Sequence, residues 1–166
     1  MNQVFIRQAN KEDLPNLEWN GEYSHYRRLF ADTYSLVEQA KAIIWIAEKD
    51  GIGLVGQCFV SLKGNRPELA DGVARVYIYG FRIQPKFRNQ GIGTRMMLTI
   101  EEDLRKRGFR QVTLNVGQDN LDAQRFYDRL GYIIVGSDPG RWSYIDDKGK
   151  RRDVVEPAWR MIKDLD

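Results

Sequence analysis

The spacing of apolar residues changes several times along the chain, from every second position to every third and fourth, and each change predicts a new element. Residues 3–9, QVFIRQA, alternate as a first strand, and 10–19, NKEDLPNLEW, predict a short helix. A longer helix is expected over 23–42, YSHYRRLFADTYSLVEQAKA, with Leu29, Tyr34 and Val37 among its inward positions. Residues 42–63, AIIWIAEKDGIGLVGQCFVSLK, read as two strands joined at Lys-Asp-Gly, a common hairpin signal. After a turn-rich stretch at 63–72 comes VARVYIYGFRI, 73–83, rich in β-formers. Gly80 inside it marks a bulge or a close backbone approach.

The pattern then turns helical. Met97, Ile100 and Leu104 recur at spacings of three and four and predict one buried stripe. Glu101–Arg105, Glu102–Lys106 and Asp103–Arg107 are acid-to-base pairs expected on the exposed side. Gly108 ends that helix as a left-handed cap. A strand follows at 110–116, with Val112, Leu114 and Val116 on one face. A second clear helix is expected over 119–132, with Asp119 or Asn120 as N-cap and a stop at Gly131. Ala123, Phe126, Tyr127 and Leu130 form its inner stripe. The tail predicts a strand at 132–136, a turn-rich hairpin within 138–152 and a final strand near 157–163. With no repeat and no linker, the expectation is one α/β domain over residues 1–166.

Length and composition narrow the function. A chain of 166 residues that is 42% hydrophobic suits one sizeable core. The longest apolar run, residues 42–47, is far short of the ~18 residues a membrane span needs. The N-terminal stretch lacks a basic segment followed by an apolar one, so a cytoplasmic protein is expected, with no membrane partner. One cysteine, Cys58, cannot make an internal disulfide or a metal cluster by itself, and no metal site is expected. It lies in a strand and reads as a structural thiol, since the one histidine, His25, is far away in sequence. The net charge of +3 comes with acidic residues interleaved among the basic ones, which favours a small anionic ligand over nucleic acid.

The candidate chemistry lies in FRIQPKFRNQGIGTRMM, residues 81–97, where a strand gives way to a helix through a glycine turn. A helix start offers unpaired N–H groups and a positive dipole end. Glycines there leave the backbone donors open to phosphate oxygens, and Arg88 can add a charged contact. The same turn can also serve chain reversal alone. The spacing fits neither a P-loop, since Gly93 is followed by Thr94 and Arg95, nor a dinucleotide fingerprint near a first strand.

Arg88-x-x-Gly91-x-Gly93, preceded by FRIQP and followed by an amphipathic helix, resembles the acetyl-CoA signature of the GNAT superfamily of N-acetyltransferases. NLDAQRFYDRLGY, from Asn120 to Tyr132, is similar to that family's second block. The resemblance covers about Val76 to Tyr132. It implies a mixed, mostly antiparallel sheet of about six or seven strands, flanked by about four helices, whose central strands splay apart near Ile83 and Val116. It further implies that the backbone of Phe81, Arg82 and Ile83 pairs with the pantetheine arm of acetyl-CoA. The amides of Arg88, Asn89, Gln90, Gly91, Ile92, Gly93 and Thr94 would hold the diphosphate, with Asn120 and Phe126 on the cofactor as well. Tyr127 would be the catalytic acid for the departing thiol, and the Ile83 N–H would face the thioester carbonyl.

The family's usual carboxylates are missing. Asn115 stands where some members place a glutamate, and VYIYG carries none, so no general base is identified. An amine of pKa ~10.4 is only about one part in a thousand neutral at pH 7, so its proton must go to water or to another group. His25 is a candidate for that role or for a surface residue. Trp19, Tyr23 and Tyr26 either wall an acceptor pocket or pack the core, and Glu18 and Glu22 either attract an amine or are solvated. The residues thus favour an N-acetyltransferase acting on a small-molecule or peptide amine through a ternary complex, with a homodimer possible. A non-catalytic acyl-CoA sensor and a basic nucleic-acid-binding domain are the alternatives.

Overall fold

Two helical layers cover opposite faces of one long sheet in this computed structural model, which describes residues 3–166. Nine strands alternate with three α-helices: β1 (Val4–Gln8), α1 (Arg27–Glu38), β2 (Ala42–Lys49), β3 (Gly53–Ser61), β4 (Arg75–Ile83), α2 (Ile92–Lys106), β5 (Gln111–Gly117), α3 (Leu121–Arg129), β6 (Ile133–Asp138), β7 (Arg141–Ile145), β8 (Arg151–Val155) and β9 (Ala158–Asp164). A 3-10 segment, Lys11–Glu18, stands where the first helix was expected. Pro15 inside it lacks the N–H a regular helix would use. Arg7 anchors this segment with a bidentate pair to Asp13 (2.8 and 2.9 Å), and the guanidinium holds the Asp13 carboxyl below its usual range.

Seven strands join in the order β1-β2-β3-β4-β5-β9-β6, antiparallel except for β4 with β5. β7 and β8 make a separate hairpin. That order places the last strand, β9, inside the sheet and β6 at its edge, which sequence periodicity cannot reveal. α2 and α3 cover one face through Met96, Met97, Ile100, Leu104 and Tyr127, packed on Val55, Cys58, Val76, Ile78, Leu114 and Val116. α1 and the 3-10 segment cover the other through Phe30 and Leu17 against Ile44, Ile46 and Phe59.

The parallel pair opens the molecule. β4 and β5 pair only from Arg75 with Gln111 to Ile78 with Leu114, yet β4 runs on to Ile83 and β5 to Gly117. The expected splay is therefore present. Next to it, the β3–β4 register slips across Gly80 and Phe81. Gly80 has φ +62, and a Cβ there would sit 2.8 Å from the Phe59 ring, so the bulge needs glycine. The slip reverses the strand's alternation: Phe81 and Ile83 join the α2 face, and Arg82 turns to the α1 face.

Two expectations change. α1 begins at Arg27 rather than Tyr23, after a short 3-10 turn at Ser24–Tyr26, and its deepest residues are Phe30 and Thr33. Tyr34 and Val37 pack at the margin of that cluster, while Leu29 does not join it. On α2, Glu101 is fully buried, not exposed. Its carboxylate accepts from the Tyr132 hydroxyl (2.8 Å) and the Lys163 ammonium (2.7 Å), with Arg105 at 3.9 Å. Position 101 follows Met97 by four residues, so it falls on the apolar stripe itself. Glu102 meets Arg105 instead of Lys106, and Asp103 pairs with Arg107 as expected.

Candidate active site

Where β4 and β5 part, a cleft of about 1050 Å³ enters the molecule. It runs from the first turn of α2 and the start of α3 to Tyr23, Tyr79, Arg82 and Asn115 on the α1 side. Beyond Ile78, β4 has no strand partner on the β5 side, so the backbone of Phe81 to Ile83 faces the opening. The slot is long and narrow, with different chemistry at its two ends.

One end presents free backbone donors. Gly91 is the N-cap of α2 with φ +81, no side chain caps the helix, and Asn89 also has a left-handed φ of 60°. The N–H groups of the first turn have no partner within the helix, and Arg88, Asn89, Gly91, Ile92, Gly93 and Thr94 line the cleft there, but the Arg88 amide expected among the free donors is spent on the Pro85 carbonyl (3.3 Å). Gln90 is on the same loop but not in the lining; its side chain donates to the Lys86 carbonyl at 3.4 Å. A Cβ on Gly91 would meet nothing within 4 Å, so the space before these donors is free. Gly93 is different. A Cβ there would lie 3.2 Å from Phe81 and 3.4 Å from Phe126, whose rings stack at 5.6 Å. Arg88 donates through Nε to the Ile83 carbonyl (2.9 Å), tying the glycine loop to the strand end. Asn120 lines the cleft while its Oδ1 caps α3 by accepting from the Ala123 N–H (3.2 Å), leaving its amide donors for a ligand.

Tyr127 stands at the middle. It is 8% exposed, packed edge-on to Phe126 and Tyr132, and forms part of the lining. Its hydroxyl has no hydrogen-bond partner among the described residues. Burial pushes this phenol well above its usual range and keeps it protonated.

The other end is aromatic and was only half legible. Tyr23 and Tyr26 stack at 6.0 Å, Trp142 and Tyr144 of the hairpin close on Tyr26, and the Arg82 guanidinium lies 4.6 and 5.5 Å from the two tyrosine rings. Tyr23 reaches the cleft, whereas Trp19 turns inward and donates to Gln57 Oε1 (2.9 Å). His25 packs on Tyr26 at 4.2 Å and does not line the cleft. Glu18 is held bidentately by Arg27 (2.8 and 2.9 Å), and Glu22 is not in the lining. Asn115 accepts from Arg160 Nε (3.2 Å), which also pairs with Asp138. Sequence reading missed Tyr79 and the Arg82 side chain. The available signal was Gly80, whose bulge turns Arg82 to the face that Tyr79 already occupies. Of the residues lining the cleft, the one carboxylate is Asp122, which pairs with Arg125 at the surface.

The sheet is thus open between two parallel strands, with a bare helix start at one end of the cleft and a buried protonated phenol at its centre. The profile of the acetyltransferase (GNAT) family matches residues 6–132, and the chain belongs to that family. It is an acetyl-CoA-dependent N-acetyltransferase, with acetyl-CoA as acyl donor. It is 26% identical over 140 residues to the 5-NmdU N-acetyltransferase of Pseudomonas phage PaMx11, covering 82% of this chain and 92% of that one. An uncharacterized N-acetyltransferase of Methanocaldococcus jannaschii is 44% identical over 86 residues, which is 52% of this chain and 30% of that protein's length. Among solved structures, Arabidopsis thaliana NAA60 in complex with acetyl-CoA superposes with a TM-score of 0.72 at 19% identity, over 98% of this chain and 99% of that one.

Proposed function

We propose that this protein transfers the acetyl group directly to a primary amine of a small molecule or peptide, both substrates being bound together in the cleft. The observation that carries this reading is the meeting of an anion-binding end and an aromatic end at Tyr127. Acetyl-CoA supplies an acetyl group activated as a thioester. The amides of the glycine turn and first turn of α2, from Asn89 to Thr94, hold its diphosphate, and the β5-facing backbone edge of Phe81, Arg82 and Ile83 aligns the pantetheine arm. Asn120 and Phe126 close over that arm. The amine enters past Tyr23 and Tyr79. The Ile83 N–H donates toward the acyl oxygen, Tyr127 gives its phenolic proton to the departing sulfur, and the proton that the attacking nitrogen sheds as the amide forms returns through water to restore the phenol.

No cleft carboxylate is placed to take the amine's proton, so the acceptor must react as its neutral form. Release of free thiol from acetyl-CoA, followed with a panel of primary amines, tests the reading. With a productive amine, kcat/KM is expected to rise about tenfold per pH unit towards the amine's own pKa of ~10.4. A plateau reached near pH 7 would show that an enzyme base is present and overturn this account of proton transfer. Absence of thiol release with every primary amine, despite CoA binding, would overturn the proposed acceptor class.

A further inference from the structure

The acceptor end of the cleft contains one unpaired charge. Arg82 lines the cleft, and its guanidinium lies over the parallel rings of Tyr23 and Tyr26, at 4.6 and 5.5 Å from their centroids. It forms no ion pair and no side-chain hydrogen bond among the described residues. Two acids of this region are held by other partners, and Glu22, exposed beside Tyr23, does not pair with Arg82. Glu18 is taken by Arg27, and Asp138 by Arg66 and Arg160. Glu156, which acts on Tyr26 from the end of the hairpin, is solvent-exposed and does not pair with Arg82.

A second surplus donor, behind the cleft wall rather than in its lining, lies opposite it in the sheet. Gln57 is directly opposite Arg82 in the β3–β4 register, so both side chains share the α1 face. Gln57 is fully buried, its Oε1 is used by Trp19, and its Nε2 donor has no partner. Local chemistry here is rich in donors and poor in acceptors. A bare polyamine would bring more positive charge to this wall and find no carboxylate to receive it. An acceptor that carries its own anion would complete it.

Resting on the transferase reading above, we propose that Arg82 selects the acceptor: an amine whose own skeleton carries a carboxylate or a phosphate. The tyrosine rings hold the guanidinium in place by cation–π contact, so its N–H fork is presented to the ligand with little ordering cost. The Gly80 bulge is what turns this side chain from the α2 face to the acceptor face. Arg82 is thus a specificity-determining residue, and the strand backbone beside it serves the cofactor independently of its side chain.

Matched pairs of amines test this: β-alanine against β-alaninamide for the carboxylate arm, and phosphoethanolamine against ethanolamine for the phosphate arm. Turnover is read as thiol release, and binding to the CoA-saturated protein by calorimetry. Wild type is expected to favour at least one anionic member over its neutral twin by about tenfold or more in kcat/KM and in affinity. Arg82→Gln should bring that ratio close to one, Arg82→Lys should keep part of it, and the arm that responds identifies the anion. Equal or better use of both neutral twins by wild type would overturn the proposal, as would an unchanged ratio in Arg82→Gln. A parallel loss of CoA affinity with the ratio preserved would assign the side chain to the cofactor and overturn it too. If no amine is turned over, the binding ratio still decides between these outcomes, and the proposed acceptor class falls separately.

Discussion

Gly91 and Gly93 give the sharpest view of the anion-binding end, because the structure assigns them different duties. Gly91→Ala places a Cβ in open space but on a residue with φ +81. The strain of a left-handed residue, roughly 1–2 kcal/mol, should appear as lost folding stability. The new methyl also stands before the first-turn N–H groups. Losing one or two charge-assisted hydrogen bonds, at about 1.5–3 kcal/mol each, weakens CoA binding by about 10-fold to 100-fold or more. Gly93→Ala carries no backbone strain. Its Cβ would lie 3.2 Å from Phe81 and 3.4 Å from Phe126, so those rings must move by a few tenths of an ångström. Both rings wall the slot, and CoA affinity should fall while stability changes little. Denaturant unfolding and calorimetric titration with CoA, on both variants, separate the two effects. Wild-type CoA affinity in two folded variants would refute the assignment of this turn to the diphosphate.

The buried carboxylate of Glu101 and the Asp138 clamp make further predictions. Glu101→Ala leaves the Lys163 ammonium and Tyr132 hydroxyl without their partner, and should cost about 3–5 kcal/mol in denaturant unfolding, with Glu101→Gln costing less. Burial pushes the Asp138 carboxyl up, but the Gly140 N–H, Arg66 and Arg160 outweigh it and hold it at about 2, below the usual 3.8. A depressed folded-state value means stability that is present above the unfolded value and lost as pH falls through the folded one. About 2 kcal/mol should therefore disappear between roughly pH 4 and pH 2 in wild type, and Asp138→Asn should lack that step in an acid unfolding series.

Much of this arrangement was legible in the chain, and the exceptions have physical causes. The stripes of α2 and α3, the Gly80 bulge, the glycine turn and the β7–β8 hairpin all follow from period and turn chemistry, which are local. Strand order is not local: β9 enters between β5 and β6 because of pairings far apart in sequence. Glu101 was misplaced because charge suggested solvent, although its spacing from Met97 put it on the buried stripe. Arg82 was read as backbone alone, because strict alternation hides what a one-residue slip does to a side chain. Trp19, counted as a possible acceptor wall, is committed to Gln57 instead.

The account turns on Tyr127, where the two ends of the cleft meet. Tyr127→Phe removes one oxygen and keeps the ring packed on Phe126 and Tyr132, so folding and CoA affinity should change little. Because burial keeps the phenol protonated, its loss should lower the rate without reshaping the pH profile between pH 6 and 9. Single-turnover acetyl transfer, measured with the acyl donor saturating so that chemistry limits the rate, is the direct measurement. A fall of ~10²-fold or more is the predicted result. A rate within about twofold of wild type in a folded, CoA-binding variant would contradict it.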